Sequence, residues 1–376
     1  MKIAFYAPLK SPNHETPSGD RTIGRLILKT LVKAGHQVEV ISDIRSFSSE
    51  PTDFFHTKKK CDLEVKRIIS KLNNSPPDIM LIYHLYYKAP DFIGLKIAKK
   101  FNIPYIAIEA SYASIRDKDS WKFGSLYAKK AINSADLIIN LNKIDSEAIE
   151  PLIKKGAKSV YLPPFVDEEN YISLQRKRNE FRDKLSDKLN INRKVPWLIT
   201  AAMMRRDDSK LPSFFAIKKI LSNVKSDYFY LIAGDGEVKN EIEKFMKKVT
   251  KNRVRFLGEL EKDDLSKLYV SGDLYIWPGI NEAFGMSFLE AQASGLPVIT
   301  FNYGGISEVM VHKRTGLLID KNNYESFSRS IDIFIKDNSL RKRYSTSAIN
   351  YIKNKRSISK VGNDFNKILV DVKNNF

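Results

Sequence analysis

The chain has 376 residues, with 63 basic against 44 acidic side chains for a formal net charge of +19, 43% hydrophobic residues and 11% aromatics. That composition excludes a disordered chain, and the length predicts two domains, each large enough to bury its own core. A single cysteine, Cys61, excludes a disulfide framework or a multi-cysteine metal site and fits a reducing, cytoplasmic setting.

The opening run Ile3 to Ala7 is too short for a signal-peptide core, and no stretch approaches the roughly 20 apolar residues that span a bilayer. Lys2–Ala7 reads as a buried strand. A polar loop leads to Ile23, Leu26, Ile27, Thr30 and Leu31 at helical spacing, Gly35 ends that helix, and Val38–Ile41 is the next strand. This is a βαβ unit, and further strand patterns at 79–83, 105–108, 137–141 and 159–162 extend it into a doubly wound α/β domain. Pro163-Pro164 and a charged stretch without strand signal, 167–194, predict a domain junction. The alternation then restarts, with strands at 197–201, 228–233, 254–257, 274–277 and 298–301 and helices at 214–221 and 285–293. The expected domains are 1–165, 166–350 and a C-terminal helical tail, 351–376, that packs back on the first.

The excess charge is spread evenly, +9 over residues 1–165 and +10 over 166–376, and Lys outnumbers Arg 45 to 18. A Lys-rich solvated surface accounts for that, and no basic motif interleaved with aromatics predicts nucleic acid. One segment, Val65–Leu72 preceded by Lys58-Lys59-Lys60, interleaves basic and apolar residues. It reads as a solvated surface helix or as an interfacial helix on an anionic membrane.

The chemistry concentrates in Asn281–Thr300, where Glu282 lies in a loop after a strand and Glu290 in the following helix. In an open α/β sheet ligands bind beyond the carboxyl ends of strands. Gly285 lets backbone approach a ligand, and the N–H groups of Gly285, Met286 and Ser287 at the helix start attract phosphate oxygens. Two carboxylates are strong acceptors for the hydroxyls of a nucleotide sugar, one set on the hexose and one on the ribose.

Glu282, Phe284, Gly285, Leu289, Glu290, Ala291, Ala293, Gly295, Pro297 and Val298 together resemble the E-x7-E signature of GT-B glycosyltransferases of the family 4 type, the glycosyl transferases group 1. The resemblance continues through Gly304-Gly305, Glu308 and Gly316-Leu317-Leu318, and upstream through Gly234-Asp235-Gly236, Val254–Gly258, Tyr269, Asp273, Leu274 and Pro278. It implies two Rossmann-like domains facing across a cleft. The implied enzyme is retaining and metal-independent, and moves a sugar from a nucleoside-diphosphate donor of the UDP or GDP type to a glycan, lipid-linked or protein acceptor. Another enzyme of the fold, an epimerase or a sugar phosphorylase, and a non-catalytic sugar-binding subunit are the alternatives.

By the same resemblance Arg205 and Lys210 hold the donor diphosphate, with the spacing of the family's arginine and lysine but no glycine before Arg205, and Arg206 competes for that role. Gly234 and Ala283, Phe284, Gly285, Met286, Ser287 and Glu290 join the donor site. In the first domain Gly19 is the candidate backbone contact to phosphate, and Asp20 is either a site residue or a helix cap. His84 follows a strand and is either structural or faces the cleft, and Glu109 follows another, where the family often has a histidine near the sugar, and either accepts backbone bonds or contacts a donor hydroxyl or the acceptor. Asp117 and Asp119 form a D-x-D, here in a polar stretch without a preceding strand. The expected setting is cytoplasmic, with peripheral contact at the inner membrane face as an option.

Overall fold

The computed structural model describes residues 1–16, 18–282 and 284–376, so Pro17 and Ala283 lie outside the described residues. The chain parts into two units, one of Met1–Pro163 with Val361–Phe376 and the other of Pro164–Lys360. The first unit runs β1 (Lys2–Tyr6), α1 (Gly19–Lys33), β2 (Gln37–Ser42), α2 (Phe54–Leu72), β3 (Ile79–Leu85), α3 (Gly94–Phe101), β4 (Tyr105–Ala110), α4 (Lys122–Ser134), β5 (Leu137–Asn140), α5 (Lys143–Ile149) and β6 (Lys158–Tyr161). Its six strands form a parallel sheet in the order β2-β1-β3-β4-β5-β6. Ile79 to Tyr83 have no solvent exposure, as the central strand of a sheet covered by helices on both faces requires.

The second unit begins with α6 (Glu169–Ile172) and α7 (Arg178–Leu189). It continues through β7 (Trp197–Ala201), α8 (Lys210–Leu221), β8 (Phe229–Ala233), α9 (Lys239–Val249), β9 (Val254–Phe256), α10 (Lys262–Ser271), β10 (Leu274–Ile276), α11 (Met286–Ala293), β11 (Val298–Phe301), α12 (Ile306–Val309) and β12 (Gly316–Ile319). Its parallel sheet has the order β12-β11-β10-β7-β8-β9. The strand order reverses between β1 and β3 in one sheet and between β7 and β10 in the other, and such switch points open a crevice at the carboxyl ends of the strands.

The C-terminal tail is helical, with one break. After α13 (Tyr324–Lys336) and α14 (Asn338–Tyr351) the chain makes a wide turn at Ile352–Arg356, and α15 (Ile358–Asn374) follows. The break has a local cause: Ser357 is drawn into a bridge with Val166, whose N–H donates to Arg356 O at 2.8 Å and whose carbonyl accepts from Ile358 N at 3.0 Å. The basic segment of α2 is an ordinary amphipathic helix. Val65, Ile68 and Leu72 pack into the first unit's core, and Lys59, Lys60, Lys66 and Arg67 are exposed. Among the described residues no helix is long and apolar enough to cross a membrane.

Candidate active site

The loop after β7 carries Arg205. It is tied to the loop after β8, with Met204 N donating to Asp235 O at 2.8 Å and Val238 N to Met204 O at 3.1 Å. Only glycine permits this approach. A Cβ on Gly234 would lie 1.9 Å from Ala202 O, and one on Gly236 would lie 2.3 Å from Met204 O. Met204 is fully buried where the family pattern has glycine, so the closeness is supplied by the glycines of the opposite loop. The two arginines separate. Arg206 donates through Nη2 to Glu241 at 2.8 Å and through its backbone N–H to Glu237 at 2.7 Å. Arg205 is exposed and forms no ion pair with any described residue.

Asp207 Oδ1 accepts the backbone N–H groups of Ser209 at 3.0 Å and Lys210 at 2.6 Å, which closes the start of α8 and sets the direction of Lys210. The Lys210 ammonium meets Glu282 Oε1, the same oxygen that accepts the Trp277 indole N–H at 3.3 Å. It also lies 5.9 Å from the Trp277 ring centroid, and that ring is wedged edge-on against Phe214. Glu282 is carried here by Asn281, which adopts φ +54° and donates to Asp208 O at 2.9 Å. Loops from the two strands at the switch point thus join through a half-buried ion pair.

Gly285, with φ +71°, starts α11 without a side-chain cap, and a Cβ there would lie 2.6 Å from the Phe288 ring. Phe284 is buried, and Met286 and Ser287 form the first turn. Glu290 lies further along this helix, where the Tyr269 hydroxyl donates to its Oε2 at 3.2 Å. Burial pushes the Glu290 carboxyl up to about 7, opposed by the hydroxyls of Tyr269 and Tyr171 and the charge of Lys262.

In the first unit the structure brings three of the expected residues together. His84 and Glu109 lie within the ends of β3 and β4 rather than after them, and both adopt left-handed backbone, φ +59° and +56°. His84 Nδ1 is 3.0 Å from Asp20 Oδ1 and 3.8 Å from Glu109 Oε2. Burial works against the charged imidazole, but Glu109, Asp20 and Asp145 outweigh it and hold its pKa at about 9. Burial raises Glu109 against the pull of His84, and it raises Asp145 as well. The cap of α1 is Ser18, whose side chain accepts from Arg21 N, so Asp20 is not the cap and is turned to His84. Gly19 is exposed, with nothing near the position of a Cβ. Asp117 and Asp119 are engaged separately, Asp117 by Tyr112 and Ser125 and Asp119 by Arg116 and the Trp121 N–H.

Sequence reasoning gave no site role to Trp277, Tyr171, Tyr269, Tyr83 or Asp145. The aromatics read as core, since strand ends and helix faces need such residues anyway. Asp145, on α5, has no local pattern that ties it to residues 20, 84 and 109.

Residues 181–351 match the family described as glycosyl transferases group 1. That segment belongs to the group. Across most of its length the chain is 24% identical to an uncharacterized glycosyltransferase of Methanocaldococcus jannaschii, over 338 residues and 82% of each chain. It is also 24% identical to the N-acetyl-alpha-D-glucosaminyl L-malate synthase of Bacillus anthracis, over 381 residues and 94% of each chain. Among solved structures it superposes on HepE of Anabaena in complex with UDP with a TM-score of 0.73 at 16% identity, covering 99% of this chain and 100% of that one. The fold is that of the GT-B glycosyltransferases, and the segment's group 1 membership covers α8 to α12, the elements that carry Lys210, Glu282 and Glu290.

Proposed function

We propose that the protein is a retaining, metal-independent glycosyltransferase of the family 4 type that takes its sugar from a nucleoside-diphosphate donor, UDP or GDP in kind. The observation that carries this reading is the Lys210–Glu282 ion pair beside the uncommitted Arg205, at the carboxyl ends of β7 and β10. The donor class is supported by HepE, solved with UDP and with UDP-glucose. Arg205 and the N–H groups that open α11 meet the diphosphate, and Lys210 adds its charge while steadying Glu282. Departure of the diphosphate places negative charge on the bridging oxygen, and preorganised cations stabilise that charge. Glu282 and Glu290 accept hydroxyl hydrogen bonds from the sugar and the ribose. The leaving phosphate oxygen takes the acceptor's proton as the new glycosidic bond forms on the same face, which retains configuration.

The acceptor is a glycan, lipid-linked or protein-borne hydroxyl, met in the cytoplasm. Peripheral contact with anionic membrane would run through Phe55 and Leu63, which are 80% and 62% exposed on α2 among its lysines. Co-sedimentation with anionic and neutral vesicles at low and high salt tests that part.

The test of the activity is a thermal-shift screen against UDP, GDP, ADP and their sugars, followed by product analysis with the labelled donor that stabilises most. Transfer that persists in EDTA is expected. Isomerised donor or phosphate-dependent cleavage would overturn the reading in favour of an epimerase or a phosphorylase. Activity lost in EDTA and restored by manganese would move the phosphate chemistry to a metal and to Asp117 and Asp119.

A further inference from the structure

At the N-terminal ends of β7 and β10 five cationic side chains gather around a recess of about 450 Å³: Arg178 and Arg182 of α7, Arg193 and Lys194 of the turn before β7, and Arg341 of α14. Two carboxylates share the recess, and both are taken. Asp273 meets Arg178 at 2.8 Å and Arg182 at 2.9 Å and accepts the Trp197 N–H at 2.8 Å, and Asp183 pairs with Arg193 at 2.8 Å. Cations outnumber anions by three. The excess is crowded. Burial lowers the Arg182 guanidinium from its ordinary value against the pull of Asp273, and the charges of Arg178 and Arg341 lower it further. Arg341 is lowered by burial and by Arg178, again against Asp273.

Binding to the negative ends of helices accounts for only part of these cations. Arg182 is fully used, donating to Arg193 O at 2.9 Å, Ser271 O at 2.6 Å and Val195 O at 2.9 Å besides Asp273. Arg178 closes the end of α10 through the carbonyls of Val270 and Gly272, and Arg341 closes the end of α13 through those of Phe334 and Ile335. Each of these two keeps its Nε–H without an acceptor among the described residues, as does Arg193. Lys194 is exposed, and its ammonium has no partner among the described residues. The spare donors thus come from three separate elements. A terminal phosphoryl group has three oxygens that accept from several directions and carries nearly two charges, so it suits them better than a planar carboxylate does. The five residues of β7 span about 16 Å, which sets this end of the sheet apart from the loops that carry Arg205 and Lys210. We propose that the recess binds a compact polyanion of the polyphosphate or phosphate-ester class, at a second site distinct from that of the nucleotide-sugar donor.

The probe is inorganic pyrophosphate, titrated calorimetrically into the full chain with UDP present to occupy the donor site. One further binding event is expected, and added salt should weaken it. Arg193→Ser with Lys194→Ser removes only exposed side chains, so it should fold as wild type and keep its UDP affinity. It should lose pyrophosphate affinity at least about tenfold, the scale of a charge-assisted hydrogen bond. Arg341→Gln keeps a donor for the end of α13 and should weaken pyrophosphate in the same direction. Citrate, of comparable charge, should bind more weakly, and equal binding of citrate would overturn the phosphoryl assignment. Displacement of pyrophosphate by vesicles bearing a phosphorylated inositol headgroup would assign the anion to a lipid, and failure to displace it would assign a soluble one. No binding with UDP present, or unchanged affinity in both variants, would overturn the proposal. If UDP itself does not bind, the donor reading fails alone, because loss of pyrophosphate affinity in the double variant but not in Arg205→Ala still reads this recess.

Discussion

Arg205 and Arg206 are adjacent and chemically identical, so the sequence leaves their roles open. The loop geometry separates them. Arg206 is held by Glu241 on α9, and Arg205 has no partner among the described residues. Arg205→Ala should therefore raise the activation barrier by about 2–3 kcal/mol, a loss in kcat of roughly 30- to 160-fold. Arg206→Ala gives up only an exposed ion pair, worth about 0–1 kcal/mol of stability, and should leave kcat near wild type. Steady-state kinetics of the two variants side by side checks the assignment. Glu290 supplies a second prediction at this scale. Its carboxyl is raised to about 7 by burial, so between the ordinary carboxylate value and pH 7 the native state keeps a proton that the unfolded chain has released. Stability then falls as pH rises through that window and is flat above it. Donor binding runs the other way, because only the carboxylate accepts two hydroxyls, and KM for the donor should fall as pH rises through about 7. Glu290→Gln removes the burial penalty, so it should raise Tm relative to wild type at pH 8 and flatten the pH dependence of KM. Tyr269→Phe deletes a donor to the carboxylate and should shift the KM profile to higher pH.

Two glycines assigned to the donor site by sequence, one in each unit, meet opposite physical demands. Gly234 is required by the backbone of Ala202, 1.9 Å from where a Cβ would sit, so Gly234→Ala must part the loops after β7 and β8. We expect it to cost well over 1 kcal/mol, to lower Tm by several degrees and to lose donor binding together with stability, because the Arg205 loop moves with it. Gly19 has open space and no positive φ. Gly19→Ala should leave Tm unchanged, and any loss of donor affinity there would report direct approach of a phosphate to the backbone. Differential scanning calorimetry paired with donor titration separates the two cases. The elements themselves were legible because parallel strands buried on both faces are continuous apolar runs, and Ile79 to Tyr83 or Trp197 to Ile199 cannot be read otherwise. Strand ends were less legible. β3 and β4 run through His84 and Glu109, since left-handed backbone there lets pairing continue to Leu85 and Ala110. Neither residue type signals that conformation.

At the scale of the chain, the tail belongs to the first unit although it follows the second in sequence. Val361, Phe365, Leu369 and Val372 of α15 are buried, and each apolar side chain of this size contributes about 1.5–3 kcal/mol when it leaves water. Truncation after Lys360 removes all four, on the order of a whole domain's stability. The first unit should lose its cooperative transition and the second should keep one, a change that calorimetry of the truncated and full chains resolves. Phe365→Ala, at about 3–5 kcal/mol, is the milder form of the same test. By itself the sequence determined two α/β halves and the Glu282 to Gly316 run that resembles group 1 glycosyltransferases, because periodicity and loop chemistry are local properties. The tertiary structure alone decided that α14 and α15 break at Ser357, that Val65, Ile68 and Leu72 face inward, that Lys210 meets Glu282, and that His84 lies between Asp20 and Glu109. Each of those depends on which loops the strand order sets side by side, and strand order is fixed by packing between residues far apart in the chain.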